Sequence, residues 1–214
     1  MPELSFRVDE AKAEPFAVVP TMAFPLQIAN AVYNETIHTI VLRCQIQIEV
    51  TRRGYSAAEQ NRLCDLFGHP DRWGQTLRNL LWTQTSVVVP AFSAKTSVDM
   101  LIPCTFDFNV ASTKYFEGLE SGAIPLLMLF SGTAFYATQN SALQVSPISW
   151  ELEARTTMPV KTWREMMSHY YPNSAWLNLH RDAFDRLYQY KVERGIPTWE
   201  QALEQLLAED MVRP

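Results

Sequence analysis

The sequence predicts an α+β protein: a mainly antiparallel sheet with one buried face, helices inserted between its strands, and a C-terminal helical segment packed on it. Three observations predict this. From Ile40 to Val50 the even positions Ile40, Leu42, Cys44, Ile46, Ile48 and Val50 are apolar, while Arg43, Gln45, Gln47 and Glu49 fill odd ones. Val98 to Phe108 repeats the pattern, with Val98, Met100, Ile102, Cys104, Phe106 and Phe108 set against Asp99, Thr105 and Asp107. Such strict period two puts one face on a core and the other in water, which parallel strands buried on both faces do not show. After Met158 the apolar period becomes helical and stays so.

The elements follow in order. Met1 to Val19 is irregular and rich in Pro, Ala and charge, an entering arm, and Phe24 to Asn30 is the first short alternating segment. After the Ile40–Val50 strand, Ser56-Ala-Ala-Glu59 forms a capping box that starts a helix running to about Phe67, where Gly68 supplies the left-handed stop. Trp73, Leu77, Leu80 and Leu81 predict a second helix over Asp71 to Leu81, weakened near Gly74. Trp82 to Val89 is a strand ending at Pro90, and Ala111 to Leu119 is a helix closed by Gly122. Ile124 to Tyr136 is an apolar strand in which Gly132 marks a bulge or a close backbone approach. Leu143 to Ala154 completes the β-rich part, with Ile148, Trp150 and Leu152 on one side.

Val160, Trp163, Met167 and Tyr170 then share a helical face that Pro172-Asn173 interrupts. Asp182 to Arg194 carries Phe184, Leu187 and Tyr188 on one stripe and stops at Gly195-Ile196-Pro197. Thr198-Trp-Glu-Gln201 is a second capping box, and Trp199, Ala202, Leu203, Leu206 and Leu207 make the stripe of the last helix. Two segments result, 20–155 with the sheet and its inserted helices and 156–214 helical. With no repeat or Gly/Ser linker between them, they are expected to pack as one unit.

Composition narrows the function. The 214 residues are 47% hydrophobic and 19% charged with a net charge of −5, a globular profile without the concentrated basic surface that nucleic acid requires. No apolar stretch approaches the roughly 18 residues that would span a bilayer, so no membrane insertion is expected. Cys44, Cys64 and Cys104 form no CxxC pair, and an odd count without a signal peptide points to the reducing cytoplasm.

Catalytic templates find no match: there is no Gly-x-Ser-x-Gly elbow, no Walker or GxGxxG loop, and no His-x-x-x-His or His-Glu-x-x-His pair. No cofactor or metal is expected. Asp99 and Asp107 share one strand face but stand roughly 26 Å apart, too far for a dyad. Asp107 precedes a helix containing Lys114, which suggests a local ion pair or cap. The remaining signal is aromatic. Trp163, Tyr170, Tyr171, Trp176 and Tyr188 crowd the last quarter with His180, and Tyr and Trp suit binding surfaces. Those six residues with Asp107 and Lys114 are the candidate binding residues; core packing is the alternative for the aromatics.

Three blocks carry a resemblance: Pro103-Cys-Thr-Phe-Asp-Phe-Asn-Val-Ala-Ser-Thr-Lys-Tyr-Phe116, Ile124-Pro-Leu-Leu-Met-Leu-Phe-Ser-Gly-Thr-Ala-Phe-Tyr136, and a tail with Trp163-Arg-Glu-Met-Met167, Tyr171-Pro-Asn-Ser-Ala-Trp176 and Phe184-Asp-Arg-Leu-Tyr188. They resemble an uncharacterised bacterial family, a domain of unknown function associated with nickel–iron hydrogenase gene clusters in actinobacteria and related soil bacteria. The resemblance covers most of the chain after residue 20. It implies an accessory role in hydrogenase expression, maturation or assembly and transfers no functional residue. Residues 20 to 136 are also similar in pattern to the export chaperone SecB. The expectation is therefore a non-catalytic, chaperone-like accessory protein that binds a protein partner, in its specific form a hydrogenase subunit or maturation factor. An enzyme or small-ligand binder with a pocket between sheet and C-terminal helices is the alternative, and a homo-oligomer pairing through the Ile40–Val50 strand is the third reading.

Overall fold

Hydrophobic alternation places nine strands in two antiparallel sheets, as seen in a computed structural model that describes residues 2–32, 35–137 and 142–211. The first residue of the arm and the last three of the helical segment lie outside that range. The chain divides into two compact units, Met1–Asn173 and Ser174–Pro214. In the first, the elements are β1 (Leu4–Val8), β2 (Lys12–Ala13), β3 (Thr21–Asn30), β4 (Thr36–Ile48), α1 (Ala57–Phe67), α2 (Trp73–Thr76), β5 (Leu80–Val89), β6 (Lys95–Pro103), α3 (Val110–Gly118), β7 (Ala123–Ala137), β8 (Leu143–Pro147), β9 (Glu153–Pro159) and α4 (Val160–Tyr170).

One sheet centres on β3, with β6 on one side and β1 and β2 sharing the other. Pro25 sits where β1 and β2 part; it has no N–H to give, and its carbonyl accepts from Asp9 N at 2.9 Å. The other sheet runs β5-β4-β7, with β8 and β9 both pairing β7 on its far side. The predicted α+β class with antiparallel strands is what the chain adopts. The two long one-sided strands fall in different sheets, β4 in one and β6 in the other, so the single buried face becomes two facing ones. Cys44, Ile46, Met100 and Ile102 all turn into one shared core, and Phe6 meets Phe130 across it at 4.8 Å between ring centroids. The helices extend the same core: Phe116 touches Trp82 at 5.1 Å and Trp163 at 5.4 Å.

Local signals explain several boundaries. Ser56 Oγ accepts from Glu59 N while the Glu59 carboxylate accepts from Ser56 N, the reciprocal box that starts α1, and Gly68 ends it with φ +73°. Gly132 marks a close approach rather than a bulge: its register against Leu42 is unbroken, its φ is +145°, and a Cβ there would lie 2.1 Å from the Val41 carbonyl oxygen.

Several expectations are corrected. The arm expected to be irregular holds β1 and β2, and the strand expected through Val50 stops at Ile48: Val50 opens a 3-10 turn to Arg52, and Glu49, expected on the polar face, is buried. The helix over Asp71–Leu81 shrinks to a 3-10 turn at Pro70–Arg72 and the four residues of α2, because Leu80 and Leu81 are recruited by β4 into β5. The strand drawn to Phe108 ends at Pro103, beyond which Cys104 donates its N–H to Pro20 and the chain turns. Leu143–Ala154 is two strands, and the connection leaves Trp150 exposed while Ile148 is buried. Asp107 neither caps α3 nor pairs with Lys114: Asn109 accepts from Ser112 N, and Lys114 pairs with Asp65.

The second unit holds α5 (Arg181–Glu193) and α6 (Trp199–Met211). Thr198 Oγ1 accepts from Gln201 N at the start of α6, and Trp199 lies against Phe184 and Tyr188 with Lys191 over its ring. Ala202 is buried and Leu206 half-buried, while Leu203 and Leu207 stay exposed.

Candidate interaction surface

Three chain segments meet at one end of the first unit. The β2–β3 loop, Glu14 to Pro20, is closed by Glu14 N donating to Thr21 O and by Thr21 Oγ1 donating to Val19 O. Tyr170, in the last turn of α4, donates its hydroxyl to Ala17 O at 2.6 Å. The turn after β6 joins through Cys104 N to Pro20 O, and Phe106 in that turn packs on Tyr171 at 4.7 Å.

This anchored loop presents two apolar side chains to solvent, Phe16 at 93% exposure and Val18 at 98%. Pro15 and Pro20 fix φ near its ends, which reduces the conformational entropy the loop has to lose on binding. Phe108, on the neighbouring turn, is also exposed. Beneath the loop, Ala13, Glu14, Pro15, Met166, His169 and Tyr170 line a mostly apolar cavity of about 300 Å³, at the lower limit of ligand clefts. Glu165 on its rim pairs with Lys161 at 3.6 Å.

The predicted site residues fall as follows. Tyr170, Tyr171 and Asp107 belong to this surface, Asp107 as an exposed turn residue. Trp163 shares α4 but is buried against Phe116. Lys114 lies elsewhere in the first unit, in a shallow hollow between α1 and α3 with Asp65. Trp176, His180 and Tyr188 are in the second unit, all exposed, with His180 in the N-cap position of α5. Sequence reasoning missed Phe16 and Val18. The available signal was two apolar residues between two prolines in a segment otherwise read as an irregular arm.

Burial pushes the Cys44 and Cys104 thiols up to about 12, so both stay protonated and act as small hydrophobes. Among the described residues no three His, Cys, Asp or Glu side chains converge as metal ligands, and no helix is long and apolar enough to cross a membrane.

Fold and surface together define a two-sheet α+β protein that presents exposed apolar side chains on a hydrogen-bonded loop. The chain belongs to a family of unknown function, DUF6084, whose profile matches residues 1–213. No curated protein matches it. Among solved structures it is similar to a late embryogenesis abundant protein, at 12% identity and TM-score 0.36 over 74% of this chain and 71% of that one. It is also similar to the CARDB domain of a Pyrococcus furiosus protein in complex with di-metal ions, at 8% identity and TM-score 0.28 over 74% and 87%. A third is the ApaA protein of Bordetella pertussis, at 11% identity and TM-score 0.25 over 73% and 92%. Likenesses this distant carry no functional argument.

Proposed function

We propose that this protein is a non-catalytic cytoplasmic accessory factor that holds a protein partner on the Glu14–Pro20 loop. The observation that carries this reading is the near-complete exposure of Phe16 and Val18 on a loop tied by four hydrogen bonds. Water does not favour two apolar side chains held outward, and an aromatic anchor on a preorganised loop is the usual core of a binding hot spot. The partner class, a nickel–iron hydrogenase subunit or maturation factor, comes from the family resemblance described above.

The experiment is affinity capture from cells that carry the gene, comparing the tagged native chain with a Phe16→Ser/Val18→Ser variant. Neither side chain is buried, so the variant unfolds within about 0.5 kcal/mol of the native chain. Retention of the partner falls at least about tenfold, as loss of a hot-spot anchor implies. Equal recovery by both chains rejects the loop as the binding site. Recovery of a loop-dependent partner unrelated to hydrogenase rejects the assigned partner class alone.

A further inference from the structure

A second surface lies on the sheet that contains β4. β8 pairs with β7 along one side, and no strand among the described residues pairs with the other. Ile148 N donates to Gly132 O, so the backbone groups of Gln144 and Ser146, at the same parity, face β7. Those of Leu143, Val145 and Pro147 therefore face away. The free edge offers the N–H groups of Leu143 and Val145 and the carbonyls of all three, that of Pro147 also accepting from Ser146 Oγ at 3.4 Å.

The side chains on this edge are those of a contact. The strand reads Leu-Gln-Val-Ser-Pro and carries no charge; of the usual guards of an exposed edge it has only its five-residue length and Pro147. Leu143 and Val145 project from the outer face at 62% and 61% exposure. In register, Val145 sits opposite Phe135 and Phe135 opposite Thr39, while Val41 sits opposite Val88 one row on. The outer face stays uncharged as far as the row of Arg43, Ser86 and Ser131.

We propose that β8 pairs with the β8 strand of a second copy of this chain, antiparallel about a two-fold axis at Val145. Val145 then exchanges both backbone hydrogen bonds with its own copy, and each Leu143 N–H donates to the Pro147 carbonyl opposite. Every outward N–H is used, while the Leu143 carbonyl, facing a proline that has no N–H, stays with solvent at each end of the ladder. A two-fold axis sets each side chain near its own copy, so a charged edge would repel itself; this one brings Leu, Val and Pro together instead. The result is one continuous sheet across the two copies.

Sedimentation of the full chain tests this. Between about 1 and about 100 µM the mass rises from 24.5 kDa toward twice that value. Val145→Lys sets like charges opposite each other and raises the dissociation constant at least about tenfold. Val145→Pro removes an N–H that β7 does not use and likewise gives a monomer, with Lys as the deciding variant where Pro disturbs folding. In a Cys64→Ser background, Val145→Cys closes an intermolecular disulfide, because paired residues across such a ladder stand about 5.5 Å apart at Cα. The Phe16→Ser/Val18→Ser variant dimerises normally, which separates this surface from the loop. A native chain that stays monomeric throughout, or a dimer indifferent to Val145→Lys, overturns the proposal.

Discussion

Gly132→Ala destabilises the protein by about 3–5 kcal/mol, combining the cost of an unfavourable backbone conformation with that of an overpacked site. The backbone at this position has φ +145°, which L side chains rarely adopt. The added carbon would lie 2.1 Å from the Val41 carbonyl oxygen, and that oxygen belongs to β4, the strand hydrogen-bonded along β7, so it has no flexible end to swing aside. The pair of central strands has to separate or the chain has to re-register. Urea unfolding followed by tryptophan fluorescence reads the effect as a midpoint lowered by roughly 1–2 M at unchanged slope. Gly122→Ala is the control: φ there is +83°, but nothing stands within 4 Å of the new carbon, so only the conformational penalty of about 1 kcal/mol remains. Equal effects at the two glycines would contradict the close approach.

Glu59→Gln costs about 3 kcal/mol at neutral pH, the scale of breaking a buried ion pair. Glu59 is buried; its carboxylate meets the Arg53 guanidinium at 2.8 Å and accepts from the amides of Glu120 at 2.8 Å and Ser56 at 2.9 Å. Arg53 also donates to Ser121 O and lies over the Tyr55 ring, so this one pair joins the start of α1 to the connection before β7. Burial alone would raise the Glu59 pKa, but the Glu120 and Ser56 amides and the Arg53 charge outweigh it and leave the carboxyl below its ordinary value. A depressed folded pKa means the stabilisation is fully present above the unfolded carboxyl's pKa and is lost as pH falls through the folded one. Glutamine mimics the protonated side chain. The difference between native and variant chains therefore shrinks as pH falls below about 4.5, toward zero once the folded carboxyl is protonated. A gap independent of pH would show that the pair does not hold α1.

Much of this architecture is legible in local signals. The Ser56–Glu59 box, the Gly68 stop and the alternation of β4 from Ile40 to Ile48 each depend on residues within a few positions of one another and are found where the sequence places them, whereas Glu49 and Val50 leave the strand for a 3-10 turn. Period two reveals which side chains point inward but not which strand lies opposite, so it leaves open that β4 and β6 face each other from separate sheets. Leu80 and Leu81 fit a helix by spacing, and pairing with Gln47 and Ile48 overrides that preference. Asn109, directly before the apolar start of α3, is a readable cap that the neighbouring Asp107 obscured. Of the interaction surface, the sequence reaches Tyr170 and Tyr171 through their aromatic character. It does not reach Phe16 and Val18, because exposure is a property of the folded neighbourhood and apolar residues in an arm read equally well as core.

A photoreactive phenylalanine analogue at position 16, illuminated in cells that carry the gene, joins the loop covalently to whatever protein covers it. One discrete adduct with a partner protein is expected, absent when the same group replaces Asp71, whose side chain is 86% exposed on the 3-10 turn before α2. The same adducts from both positions, or none from position 16, would contradict a partner held on this loop.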